Sequence, residues 1–248
     1  MKMGIVLQRD FREICRTNAF RILVIVSAVI TIGASAGVSA ALGRQPWLGE
    51  ETARPLLDMI IGLITYFMPL LVLMAFIWAF ASLPVTKEKV SGNIECLLAT
   101  PIGPKMLWMG KSLAIFLPGL VIAILATLVV MLVVNFSTIA PATGNLVLPA
   151  PSLFVGFIVN PMLFFALLSF IILFSLANNP DIAIAPSFLL GFGLMIGMPL
   201  GLATGAVKLD SWSFALWYLV GTVILWIVVG YVSRVLTKEN IVLSSKGD

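Results

Sequence analysis

The chain has 248 residues, of which 60% are hydrophobic and only 10% charged, with a formal net charge of +4 and a mean hydropathy of +1.12. Those proportions exclude an ordinary water-soluble globular domain and describe a polytopic membrane protein. With no histidine and two cysteines, Cys15 and Cys96, no zinc or haem site is expected.

The first element is an amphipathic helix over residues 1–19. Met3, Leu7, Phe11, Ile14 and Asn18 recur at helical spacing, with Arg9, Arg12, Glu13 and Arg16 turned elsewhere. Such a helix lies along a membrane surface, its apolar face in the acyl boundary and Arg9, Arg12 and Arg16 near anionic lipid headgroups. Six apolar segments of spanning length follow, at about 20–42, 56–82, 107–135, 152–177, 182–205 and 213–236. Ala34-Ser35-Ala36 resembles a cleavage site, but the apolar stretch before it is too long and its basic flank too extended for a signal peptide. The short loops leave no room for a soluble domain, so the expected fold is an all-α membrane protein with one six-span transmembrane domain over 1–248. Of the 15 basic residues, all but Arg44, Arg54 and Lys208 fall before or at the start of the first span, around the loop after the second, or at the end of the chain. Basic residues resist translocation, which places both termini and the loop at 83–107 in the cytoplasm and the chain in the cytoplasmic membrane. Topology accounts for the positive charge, and no nucleic-acid partner is expected.

The loop after the second span carries its own helical stripe over 86–100. Val90, Ile94, Leu97 and Leu98 share one face, Glu88 and Glu95 another, and Pro101 stops the helix before Gly103-Pro104 turns the chain back. A short rod, apolar on one side and acidic on the other, therefore projects below the bilayer as a docking element. Farther on, Gly110-Lys111-Ser112 ends like a phosphate-binding loop, but Lys105 stands where such a loop needs its first glycine, and the intervening residues are bulky. Ala177-Asn178-Asn179-Pro180-Asp181 is turn chemistry, serving either as a connector or as a second cytoplasmic contact. In the fifth span Gly193, Gly197, Gly201 and Gly205 recur every four residues with Pro199 among them. Small residues let helices approach closely in lipid, so this face is expected to pack or to gate, and Pro199 to kink or break the helix. Asp58, one turn after Arg54, reads as an interfacial pair rather than an ion relay. The 11 methionines are dispersed and form no copper-binding cluster.

Residues 87–114, KEKVSGNIECLLATPIGPKMLWMGKSLA, resemble the signature region of ABC-2-type permeases, the exporter-class membrane subunits of ABC transporters. Glu88, Ser91, Gly92, Glu95, Leu97, Leu98, Thr100, Pro101, Gly110 and Lys111 match that pattern, while Lys89 replaces a common arginine and Cys96 a more usual polar residue. The resemblance implies that 86–100 is a coupling helix seated in a separate cytoplasmic ATPase, with Glu88 and Glu95 meeting basic groups there. ATP and magnesium would bind that partner and not this chain, and a second permease copy or a homologous chain would complete the pathway. It also implies a broken, re-entrant outer segment after the fifth span. Two other readings stand beside it. An ATP-independent transporter or channel needs polar or ion-binding residues in the spans, which are scarce. An intramembrane enzyme needs a nucleophile and base that the sequence does not offer.

Overall fold

The computed structural model describes residues 2–80, 103–177, 180–237 and 241. Among the described residues all regular structure is helical. Helix α1 spans Lys2–Arg16, α2 Asn18–Gly43 and α3 Arg54–Phe80. Helix α4 begins as Pro104–Val134 and continues through a π-helical turn, Asn135–Ile139, into a last turn, Ala140–Thr143. Helix α5 starts as Ala150–Phe154, passes through a second π-helical turn, Val155–Val159, and runs on as Asn160–Ala177. Helix α6 is Pro180–Ala203 and α7 is Trp212–Val232.

Five of these helices, α2, α3, α4, α5 and α7, are long and apolar enough to cross a membrane, and α6 carries a further apolar stretch over Gly191–Ala203. The chain is thus an all-α, multi-pass membrane protein. Helix α3 is the centre: 72% of its apolar window is buried, against 17% for α2 and for α7. It packs chiefly on α4, which also receives α1, α2 and α5, while α6 and α7 lean on α5.

The outer helices are built the wrong way round for water. Helix α2 turns Ile22, Ile25, Val29 and Ile32 outward and buries Ser27, Thr31 and Ser35. Lipid offers no hydrophobic drive between helices, so small polar residues make the close contacts and large apolar ones meet the acyl chains. The Thr31 and Ser35 hydroxyls satisfy themselves locally, donating to the Ser27 and Thr31 carbonyls at 2.7 and 2.8 Å. On α7 the exposed aromatics Trp212 and Trp217 lie towards one end and Tyr231 at the other. Trp212 and Tyr231 are about 28 Å apart along the helix at 1.5 Å per residue, close to the hydrocarbon thickness, as aromatic belts require. The Arg234 guanidinium sits 5.6 Å from the Tyr231 ring centre, a cation at the membrane boundary.

Helix ends follow local chemistry. Thr17 separates α1 from α2: its hydroxyl donates to the Ile14 carbonyl at 2.7 Å and accepts from the Phe20 N–H at 3.1 Å. Gly144, at φ +74°, closes the extension of α4. That extension runs eight residues beyond the segment expected to end at 135, passing through the π-helical turn and Pro141 before it stops at Gly144.

Pro199 does not break its helix. Helix α6 stays helical through it to Ala203, since one missing donor leaves the flanking helical bonds in place. The chain turns at Gly205 instead, where φ is +71° and the N–H bonds the Leu202 carbonyl at 3.1 Å. Pro69 and Pro118 are likewise absorbed inside α3 and α4.

Candidate functional site

The run that singled out this chain, residues 87–114, follows α3 in sequence and ends within α4. The loop residues Glu88, Ser91, Gly92, Glu95, Leu97, Leu98, Thr100 and Pro101, with Cys96, lie outside the described residues. What is described is the frame to which that loop is attached. Gly103 is extended and Pro104 occupies the first turn of α4, so the helix starts where a proline costs no hydrogen bond. From Lys105 to Ser112 the backbone is wholly helical and Gly110 is buried. No phosphate loop forms there.

Lys111 is the unusual member of this frame. Only 2% of the residue is exposed, and an unpaired ammonium so placed would lose its hydration without compensation. Its Nζ lies 3.2 Å from Asp10 Oδ2 on α1. The other carboxylate oxygen, Oδ1, accepts from Arg9 Nε at 2.8 Å, and Arg9 keeps 45% of its side chain exposed. Asp10 therefore bridges a buried cation and a surface cation.

Neighbouring contacts make the start of α4 a junction. The Trp108 indole N–H donates to the Ser169 carbonyl of α5 at 2.7 Å. Phe20 of α2 meets Phe76 of α3 edge-on, with centroids 6.0 Å apart. A Cβ on Gly119 would lie 2.9 Å from Phe76 Cγ, so glycine is what lets α4 approach the Phe76 ring. Helices α1, α3 and α5 are thus fastened to the first half of α4, and α2 packs on it as well, so that five helices, α4 included, meet here.

The amphipathic helix expected over 1–19 ends at Arg16, and Asn18 begins α2. Its buried ridge is Val6, Asp10 and Ile14, four residues apart, while Leu7 and Phe11 are half-buried. That ridge packs on α4, so helix α1 is held by protein along one side. Arg9, Arg12 and Arg16 are exposed, away from that ridge. Asp10 was not among the expected residues; the signal for it was the Val6-Asp10-Ile14 spacing, which places one carboxylate on an apolar ridge. On the same helix, burial pushes the Cys15 thiol pKa up.

The four glycines of α6 do not form one stripe. Gly193 and Gly197 are open, with nothing within 4 Å of an added Cβ. They line an outward apolar groove with Leu189, Phe192, Ile196 and Leu200. Gly201 sits under the returning chain, where a Cβ would lie 2.7 Å from Val207 Cγ2, and Gly205 is the turn itself. The groove is backed by Trp78 of α3, stacked on Phe188 with centroids 4.7 Å apart.

A second polar node lies inside the bundle. Asn160, fully buried on α5, donates from Nδ2 to the Tyr66 carbonyl of α3 at 3.0 Å. Its Oδ1 accepts from the Tyr218 hydroxyl of α7 at 2.8 Å. Asn160 thus ties three helices. At the start of α3, Asp58 is half-buried with Arg54 and Asp210 close enough to act on its charge, yet it forms no direct ion pair with Arg54.

Compared with protein-family models, with curated proteins and with solved structures, the chain finds no match.

Proposed function

We propose that this chain is the membrane-spanning permease subunit of an ABC-type exporter, driven by ATP hydrolysis on a separate cytoplasmic ATPase. The observation that carries the reading is the placement of the ABC-2-like run 87–114: it ends inside α4, with Gly110 and Lys111 buried in the junction of five helices. A force delivered to the loop by a docked ATPase enters the bundle at its most connected point, and rigid helices pass it on as rotation or shear. Glu88 and Glu95 are the residues assigned to that docking, with Leu97, Leu98, Thr100 and Pro101 shaping the element.

In this reading α6 is the fifth of six spans, both termini are cytoplasmic, and ATP with magnesium sits on the partner. A second permease copy or a homologous chain faces this one. The open groove around Gly193 and Gly197 supports such pairing, because a helix face of glycines flanked by Leu189, Ile196 and Leu200 admits another helix closely. The dispersed apolar character of the spans supports a transport role over an enzymatic one.

The test is to extract the chain from its native membrane in mild detergent and identify what accompanies it. An ATPase subunit in stoichiometric amount is the expected result. A lone chain that moves solute in vesicles under an ion gradient, without ATP, would overturn the proposal.

A further inference from the structure

We infer that Asp10 and Lys111 are positioning residues that make α1 a moving part of the coupling machinery rather than a passive membrane anchor. The inference rests on the functional reading above, in which force enters at residues 87–101.

Helix α1 has two attachments. One is covalent, the elbow at Thr17, whose hydroxyl bonds both sides of the joint. The other is the dock of Val6, Asp10 and Ile14 on α4. Lys111 lies in the first turns of α4, so any shift of Pro104 moves its ammonium, and the 3.2 Å bond to Asp10 moves α1 with it. Two apolar side chains could also hold α1, but they would tolerate sliding. A buried ion pair resists sliding, because parting the charges separates two buried groups, an ammonium that is 2% exposed and a carboxylate set on an apolar ridge. The pair therefore gives the dock one register. Arg9, on the other carboxylate oxygen, holds the Asp10 carboxylate in its orientation from the surface side. A push on the loop is then delivered to α1, and through Thr17 to the end of α2.

The test uses the chain alone and the chain assembled with its ATPase, as wild type, as Lys111→Met, and as the exchanged pair Asp10→Lys with Lys111→Asp. Amide hydrogen exchange over residues 4–14 reports whether α1 is docked. In the chain alone, Lys111→Met is expected to speed that exchange about tenfold or more, and the exchanged pair to restore protection. In the assembled complex, wild-type α1 is expected to change its exchange between ADP and ATP with magnesium. Lys111→Met is expected to abolish that difference while ATP hydrolysis persists, and the exchanged pair to recover it.

Unchanged α1 exchange in Lys111→Met, or a nucleotide response equal to wild type, overturns the inference and leaves the permease assignment standing. A chain that recruits no ATPase overturns that assignment and the transmitting role together, while exchange in the isolated chain still reports whether the pair holds α1.

Discussion

Substitution of one glycine by alanine tests the packing most sharply. Gly156 lies in the π-helical turn of α5, against α3 at Thr65. Pro69 has no N–H to offer the Thr65 carbonyl four residues earlier, so that carbonyl is left facing α5. A Cβ on Gly156 would fall on the Thr65 carbonyl oxygen, 2.5 Å from its Cγ2 and 3.0 Å from its carbonyl carbon. Two of these three atoms are backbone, so relief requires one helix to move. Such overpacking costs about 1–3 kcal/mol. Moving α5 away also stretches the 3.0 Å bond from Asn160 Nδ2 to the Tyr66 carbonyl, worth about 0.6–1.7 kcal/mol inside a membrane. Against this stands a helix-propensity gain of about 1 kcal/mol for alanine over glycine. Gly156→Ala should therefore destabilise by about 1–3 kcal/mol, lowering the melting temperature in detergent by about 3–10 °C. Gly221→Ala on α7 is the control, because nothing lies within 4 Å of its added Cβ; it should leave the melting temperature unchanged or raise it. Intrinsic tryptophan fluorescence on heating reads both. If Gly156→Ala melts with the wild type, the close approach of α3 and α5 is not as described.

Three further outcomes follow from the described contacts. Tyr218→Phe removes the donor to Asn160 Oδ1 and should cost about 1 kcal/mol, seen as a drop of about 2–4 °C in the same melt; no drop would mean Asn160 is not shared between α5 and α7. Gly197→Leu fills the open groove of α6 and, under the proposed pairing, should weaken cross-linking between two copies in the native membrane while the monomer melts as before; unimpaired cross-linking would contradict pairing through this groove. Burial raises the Cys15 pKa, so at any given pH less of it is thiolate than of a solvent-exposed cysteine. In a Cys96→Ser background its alkylation near pH 7 should lag behind that of Arg12→Cys in a chain lacking Cys15, and the gap should narrow as pH rises. Equal rates at neutral pH would contradict the burial of Cys15.

The spans were legible because bilayer thickness sets their length: the segment read at 20–42 is α2, Asn18–Gly43, and that at 56–82 is α3, Arg54–Phe80. The same logic of length gave no hint of the π-helical turns at Asn135–Ile139 and Val155–Val159, which answer to tertiary packing. In the sequence Lys111 is one of the basic residues that set topology, and its burial is hidden because Asp10, its partner, lies on another helix. Asn160 carries no local sequence signal, because the Tyr66 carbonyl and the Tyr218 hydroxyl that meet it lie on other helices. The glycine repeat of α6 misled by its regular spacing, since the helix ends between Gly201 and Gly205 and the last glycine serves the turn. Periodicity reports a face, and only the fold decides what that face meets.

The account turns on an external ATPase engaging the loop at 86–100, and Glu95→Lys measures that engagement directly. In the complex reconstituted into vesicles, the variant chain should insert and pair normally while ATP-driven transport falls to the level seen without ATP. Transport at the wild-type rate by Glu95→Lys would contradict the account.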